Sequence, residues 1–185
     1  MDTLWLEYYC HPDCEPLKNI MRLPREQAFA LAKQMAEAHP ETTAFYRFAD
    51  FENYYPRRLK TDQLMLEMFR QLGGKPQNNH PLSFVLGSSD YLHQWFGSGR
   101  ILRLPLAAVP REQISFTVGD SMSSLAKNGQ LEMLTLPMLE EAVGQHPGGG
   151  QGWLRDVLKD TYYVEAQVWG DIAPTAIQKS EGENQ

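Results

Sequence analysis

Residues Thr161-Tyr162-Tyr163-Val164-Glu165-Ala166-Gln167-Val168-Trp169-Gly170 read as one strand with a carboxylate at its centre. Alternation puts Tyr162, Val164, Ala166 and Val168 on one face and Tyr163, Glu165 and Gln167 on the other. The first face has the character of core, so the strand needs a sheet and a packed layer to bury it. The second face places an acid between an aromatic ring and an amide. That arrangement suits a polyol ligand, a developing cation, or plain solvation.

The rest of the chain supplies the partners of such a strand. Leu4-Trp5-Leu6-Glu7-Tyr8-Tyr9 is a first strand, and Ala28, Leu31, Ala32 and Met35 recur at helical spacing between Pro24 and Ala38. Thr42 to Phe48 reads as a second strand and Asp50 to Leu59 as an irregular aromatic loop. A helix from about Asp62 to Leu72 stops at Gly73-Gly74. Leu82 to Leu86 then forms a strand feeding a helix over Ser89 to Phe96. Ile101 to Leu106 and Gln113 to Val118 alternate and read as neighbouring strands. A brief strand and a helix starting near Thr135 follow, then a mobile glycine-rich connector at His146 to Gly152 and a helix from Trp153 to Asp160. With 185 residues, 42% of them hydrophobic, the chain can bury one substantial core. The expectation is a single α+β domain over residues 1–176, with a mixed or mostly antiparallel sheet and several packed helices. Residues 177–185 are expected to be a fraying acidic tail.

Charge narrows the function classes. A net charge of −6 works against binding nucleic acid, which rests on clustered Lys and Arg. The run Pro56-Arg57-Arg58-Leu59-Lys60 is the one local exception, read as solvated surface with a phosphate site as the alternative. No apolar run reaches the roughly 18 residues that span a bilayer, and no secretion signal opens the chain, so a cytoplasmic protein without membrane attachment is expected. Cys10 and Cys14 flank His-Pro-Asp. Free thiols are expected there and no metal, the alternative being a metal set of Cys10, His11, Asp13 and Cys14.

No phosphate-cradling loop, nucleophile elbow or zinc helix motif occurs. Four of the five histidines precede proline and read as turn residues; of these, His80 stands where a loop can aim it into a cleft. Arg47, between aromatic neighbours, needs water, a carboxylate such as Glu165, or an anionic ligand. Gly119-Asp120-Ser121 reads as a turn that can also set a carboxylate beside a cleft. Tyr54, Tyr55, Tyr91, Trp95 and Trp169 can stack a flat ring or fill core.

In order along the chain, Tyr46-Arg47, Leu82-Ser83-Phe84 with its following helix, and Tyr163-Val164-Glu165 resemble the ADP-ribosyltransferase group. The resemblance implies an NAD substrate, with Glu165 and Ser83 as catalytic residues and Arg47, Tyr54, His80 and Tyr91 binding the dinucleotide. Glu165 would stabilise charge on the ribose, Ser83 would hydrogen-bond ribose or amide, Arg47 would neutralise phosphate, and Tyr91 or Tyr54 would cover the nicotinamide. Ser83 stands alone rather than in a Ser-Thr-Ser run, and Tyr163 stands where many members carry Glu or Gln. The chain also looks like bacterial proteins to which no activity is assigned. A small-molecule nucleotide or a protein target is the implied partner. The alternative is a non-catalytic interaction or regulatory module that uses residues 51–60 as its contact surface.

Overall fold

The computed structural model describes residues 4–179. In chain order the elements are β1 (Trp5–Cys10), α1 (Arg25–Ala38), α2 (Tyr46–Ala49), α3 (Phe51–Gln71), β2 (Leu82–Leu86), α4 (Asp90–Trp95) and β3 (Arg100–Pro105). Then come β4 (Ile114–Val118), α5 (Ser121–Asn128), β5 (Leu134–Thr135), α6 (Leu136–Gln145), α7 (Gly149–Val157), β6 (Val164–Val168) and β7 (Gln178–Lys179). The strands form one sheet in the order β5-β4-β6-β2-β1-β3-β7, with every neighbouring pair antiparallel. This is the expected α+β class. No helix among the described residues is long and apolar enough to cross a membrane.

Alternation decides the two faces of the sheet. Leu6, Tyr8, Leu82, Phe84, Leu86, Leu104, Ile114, Phe116, Val164, Ala166 and Val168 form an apolar face that packs on Leu136, Leu139 and Val143 of α6 and Leu154 of α7. Each such side chain brings on the order of 1.5–3 kcal/mol when fully buried. The opposite face is polar at its centre and largely buried, with Ser83 exposed. Ser115 Oγ donates to Gln167 Oε1 at 2.9 Å, Gln167 Nε2 donates to Thr117 Oγ1 at 2.9 Å, and Trp169 Nε1 donates to Ser115 Oγ at 2.9 Å. A buried polar face is tolerable only when its groups are paired in this way. Over it, Met65, Leu66 and Phe69 of α3 pack with Trp169 at one end, and Leu92 and Phe96, on and just past α4, pack with Tyr9, Val85 and Tyr163 at the other.

The structure departs from the sequence expectations at five places. Thr42 to Phe48 is a 3-10 turn over Thr43–Phe45 followed by α2, not a strand. The aromatic loop of residues 50–59 is the first half of α3, with Pro56 inside the helix. Pro56, sixth in the helix, gives up its ladder bond to Glu52, while aromatic packing supports this stretch: Phe45–Phe48, Phe48–Phe51 and Phe51–Tyr55 ring centroids lie 5.3, 5.7 and 5.6 Å apart. β3 and β4 are not neighbours, because β1, β2 and β6 lie between them. The supposed mobile connector begins α7 at Gly149, where His146 accepts the Gly148 N–H at 3.1 Å and meets Asp156 at 3.1 Å. Finally, the chain stays in the sheet past residue 176, with Gln178 opposite Arg103; the rest of the expected tail, 180–185, lies outside the described residues.

Two local signals place the polar face. Gly87 takes φ 77° to turn β2 into α4, a left-handed geometry that glycine adopts without strain. Asp120 caps α5 by accepting the Ser123 N–H at 2.7 Å, which aims that helix's N-terminus at β6.

Candidate functional site

Glu165 sits on β6 facing the polar side and is 4% exposed. Its Oε1 accepts the Ser83 hydroxyl at 3.0 Å and its Oε2 accepts the Ser121 N–H at 2.9 Å. Ser121 is the first residue of α5, so the carboxylate lies against the positive end of a helix. Ser83 is exposed while every other residue of β2 is buried, so the sheet face is open beside the acid. The Ser121 hydroxyl is buried there without a partner.

Asp120 links this acid to Arg47. Its Oδ2 accepts the Tyr163 hydroxyl at 3.2 Å and faces an Arg47 amino group at 4.0 Å. Burial and the nearby Asp120 and Glu165 carboxylates push the Tyr163 hydroxyl up, which keeps it a donor. Arg47 lies on α2, its guanidinium carbon 5.4, 5.7 and 5.8 Å from the rings of Trp95, Tyr46 and Tyr54. A cavity of about 130 Å³ opens beside it, lined by Tyr46, Arg47, Asp50, Tyr54, Arg57, Met122 and Ser123. Two guanidiniums line that space against the one carboxylate of Asp50, an excess of positive charge that suits it to an anionic group.

A second charged set lies under α3. Asp62 is fully buried; its Oδ1 pairs with Arg58 Nε at 2.7 Å and its Oδ2 with His80 Nδ1 at 2.7 Å. The Arg58 contact is an ion pair off the hydrogen-bond line, which leaves Oδ1 without an aligned donor. Arg58 also feels the Glu165 and Asp120 carboxylates, so the two sets form one electrostatic unit. Asp62 orients the His80 ring, and Nε2 on its far side makes no hydrogen bond among the described residues.

An aromatic strip runs along the rim. Tyr91 stacks on Tyr162 at 4.5 Å and 15°, Trp95 lies 5.7 Å from Tyr91, and Tyr46 meets Trp95 edge-on at 5.6 Å. Tyr162 is 72% exposed, a correction to its expected place in the core. β6 begins only at Val164, so alternation does not reach back to Tyr162.

The structure therefore joins Ser83 to Glu165, gathers Arg47 and Tyr54 at the cavity, brings Tyr91 to the same rim through Trp95, and holds His80 on Asp62. Arg47 meets Asp120 rather than Glu165. Arg57 lines the cavity and Arg58 is buried, so the basic run is not a purely solvated surface. Asp62 went unnoticed in the sequence, although the i,i+4 spacing from Arg58 is the signal of a helical ion pair. Tyr54 and Tyr55 are half-buried against Phe51, on a helix rather than a loop.

Cys10 is buried in the apolar core and Cys14 packs against it; both are free. Burial and then the neighbouring Cys10 push the Cys14 thiol up to about 11. Iodoacetamide at pH 8 should therefore alkylate the native thiols at least about 100-fold more slowly than those of the urea-unfolded chain. Equal rates by mass spectrometry would contradict this burial.

Burial alone would raise Asp120, but the Ser123 hydrogen bond and Arg47 outweigh it and hold its carboxyl below the ordinary carboxylate range. A depressed folded value contributes stability that is present above the unfolded pKa and lost as pH falls through the folded one. Arg47→Met should thus shrink the part of the acid-side loss that comes from Asp120, so that the variant's destabilisation relative to the wild type is largest near pH 7 and narrows as pH falls toward 3, measured by urea unfolding between about pH 3 and 7. An unchanged acid limb would show that Arg47 does not govern Asp120.

Comparison with protein-family models, with curated proteins and with solved structures finds no match to this chain. The chemistry of the site alone carries the functional reading.

Proposed function

We propose that the protein is an enzyme that binds a nucleotide substrate of the NAD type across the polar face of the sheet and cleaves its nicotinamide–ribose bond. The observation that carries this reading is the Ser83–Glu165 pair, a fixed carboxylate beside the one exposed position of β2. In that reaction the C–N bond breaks, its electron pair leaves on the nicotinamide nitrogen, and positive charge builds on the sugar. Water, or a nucleophile of a protein target, then bonds the sugar carbon and releases a proton. Glu165, held by Ser83 and Ser121, stabilises the developing cation and orients a ribose hydroxyl without reorganising.

The other groups bind. Arg47 and Arg57 take phosphate in the cavity, which has room for that group but not for a whole dinucleotide. Tyr91 and Tyr162 offer a flat face at the rim, and His80 offers Nε2 to a ribose or amide group. Calorimetry with NAD and ADP-ribose, and chromatography for free nicotinamide, test the reading. Stoichiometric binding with nicotinamide release is the expected result, and absence of both with pure folded protein overturns it.

A further inference from the structure

We propose that His11, Asp13 and His39 form a binding site for one divalent transition-metal ion of the zinc class. The site shares no residue with the polar face around Glu165 and does not rest on the reading given to it. His11 and Asp13 follow β1 and His39 follows α1, yet one ring nitrogen of each histidine and one Asp13 oxygen lie within 4.8 Å of one another. His39 Nε2 is 2.9 Å from Asp13 Oδ2, and the two imidazole centroids are 4.2 Å apart. A tetrahedral ion with bonds of about 2.0–2.2 Å needs ligand atoms about 3.4 Å apart. The widest of these separations must close by up to about 1.4 Å and the His39–Asp13 pair must open by about 0.5 Å, and the Asp13 side chain, 61% exposed, is free to swing.

The surroundings hold the ligands in place. His11 is buried against Phe45, 5.3 Å between centroids. His39 turns its other nitrogen, Nδ1, toward Glu41 at 3.9 Å, the outer carboxylate that commonly orients a ligating histidine. Backbone bonds hold both loops, Cys14 N–H to His11 O at 3.0 Å and Thr42 N–H to His39 O at 3.1 Å. At 3.2 Å, the bond from the Asp13 N–H to His11 Nδ1 is long enough to yield if that nitrogen is the one taken. Two imidazoles and one carboxylate select zinc, cobalt or nickel over magnesium or calcium, and three protein ligands leave a position for water. Cys10 and Cys14, which the sequence set beside His11 as possible ligands, are in or against the core instead.

Untagged protein stripped with chelator and titrated with zinc chloride in a calorimeter should bind one equivalent. Cobalt should bind with visible absorption bands, and magnesium should not bind. His39→Gln and Asp13→Asn should each weaken zinc by at least about 100-fold, while Cys14→Ser leaves it unchanged. Thermal unfolding of each variant without metal establishes that it is folded; Asp13, being exposed, is the variant least able to disturb the fold. Absence of stoichiometric zinc binding to the wild-type chain overturns the proposal. So does binding that survives in folded Asp13→Asn, or that is lost in folded Cys14→Ser.

Discussion

Replacing Asp62 with alanine should cost about 3–5 kcal/mol of folding stability. Asp62 is fully buried and serves Arg58 and His80 at once, each at 2.7 Å. Its removal strands a buried guanidinium under α3, because the Glu165 and Asp120 carboxylates that also face Arg58 already have partners of their own. An unpaired buried charge is far more costly than the pair was favourable. The double variant Arg58→Met/Asp62→Leu, which removes both charges at similar volume, should therefore recover most of the loss. Urea unfolding of the three proteins measures this. A loss below about 1 kcal/mol for Asp62→Ala would mean that Arg58 escapes to water and that the charged set is not a buried unit.

Glu165→Gln should lower nicotinamide release by at least about 100-fold while the fold survives. The amide is well suited to separate the two effects. Its oxygen can still accept the Ser121 N–H, and its NH₂ can donate to the Ser83 oxygen, a hydroxyl that reverses its role by rotation. Only the negative charge is lost. Phosphate binding at Arg47 lies outside this change, so ADP-ribose affinity should move much less than turnover. Equal activity of the variant and the wild type would remove Glu165 from the chemistry even if NAD binds.

How much of this was legible in the chain depended on the period of each signal. Val164, Ala166 and Val168 alternate strictly, and with β6 buried on both faces that pattern was enough to place Glu165 and Gln167 together on the polar side. Ser83 was named only through the resemblance, because Val85, two residues on and on the same face, is apolar and buried and breaks the alternation of β2. The stretch Phe45-Tyr46-Arg47-Phe48 misled because aromatic residues favour strands, while the informative spacing was longer: Phe45, Phe48, Phe51 and Tyr55 recur at three and four and stack as one helical stripe. Asn53 and Pro56 then disguised the start of α3 as a loop. Arg58 and Asp62 carried a readable i,i+4 spacing, but nothing local says that this side of the helix turns inward over a polar sheet. Convergence of His11 and Asp13 with His39 depends on where α1 docks, which is a tertiary fact.

The insertion of β6 between β2 and β4 has a consequence for synthesis on the ribosome. Until the segment Val164–Val168 has emerged, the nascent chain holds β1, β2 and β3 on one side and β4 with β5 on the other, and no ladder joins them. Both inner edges then present unpaired backbone groups flanked by apolar side chains, the kind of template on which neighbouring polypeptides stick. Cooperative folding has to wait for one five-residue segment, which is also the segment that carries the acid.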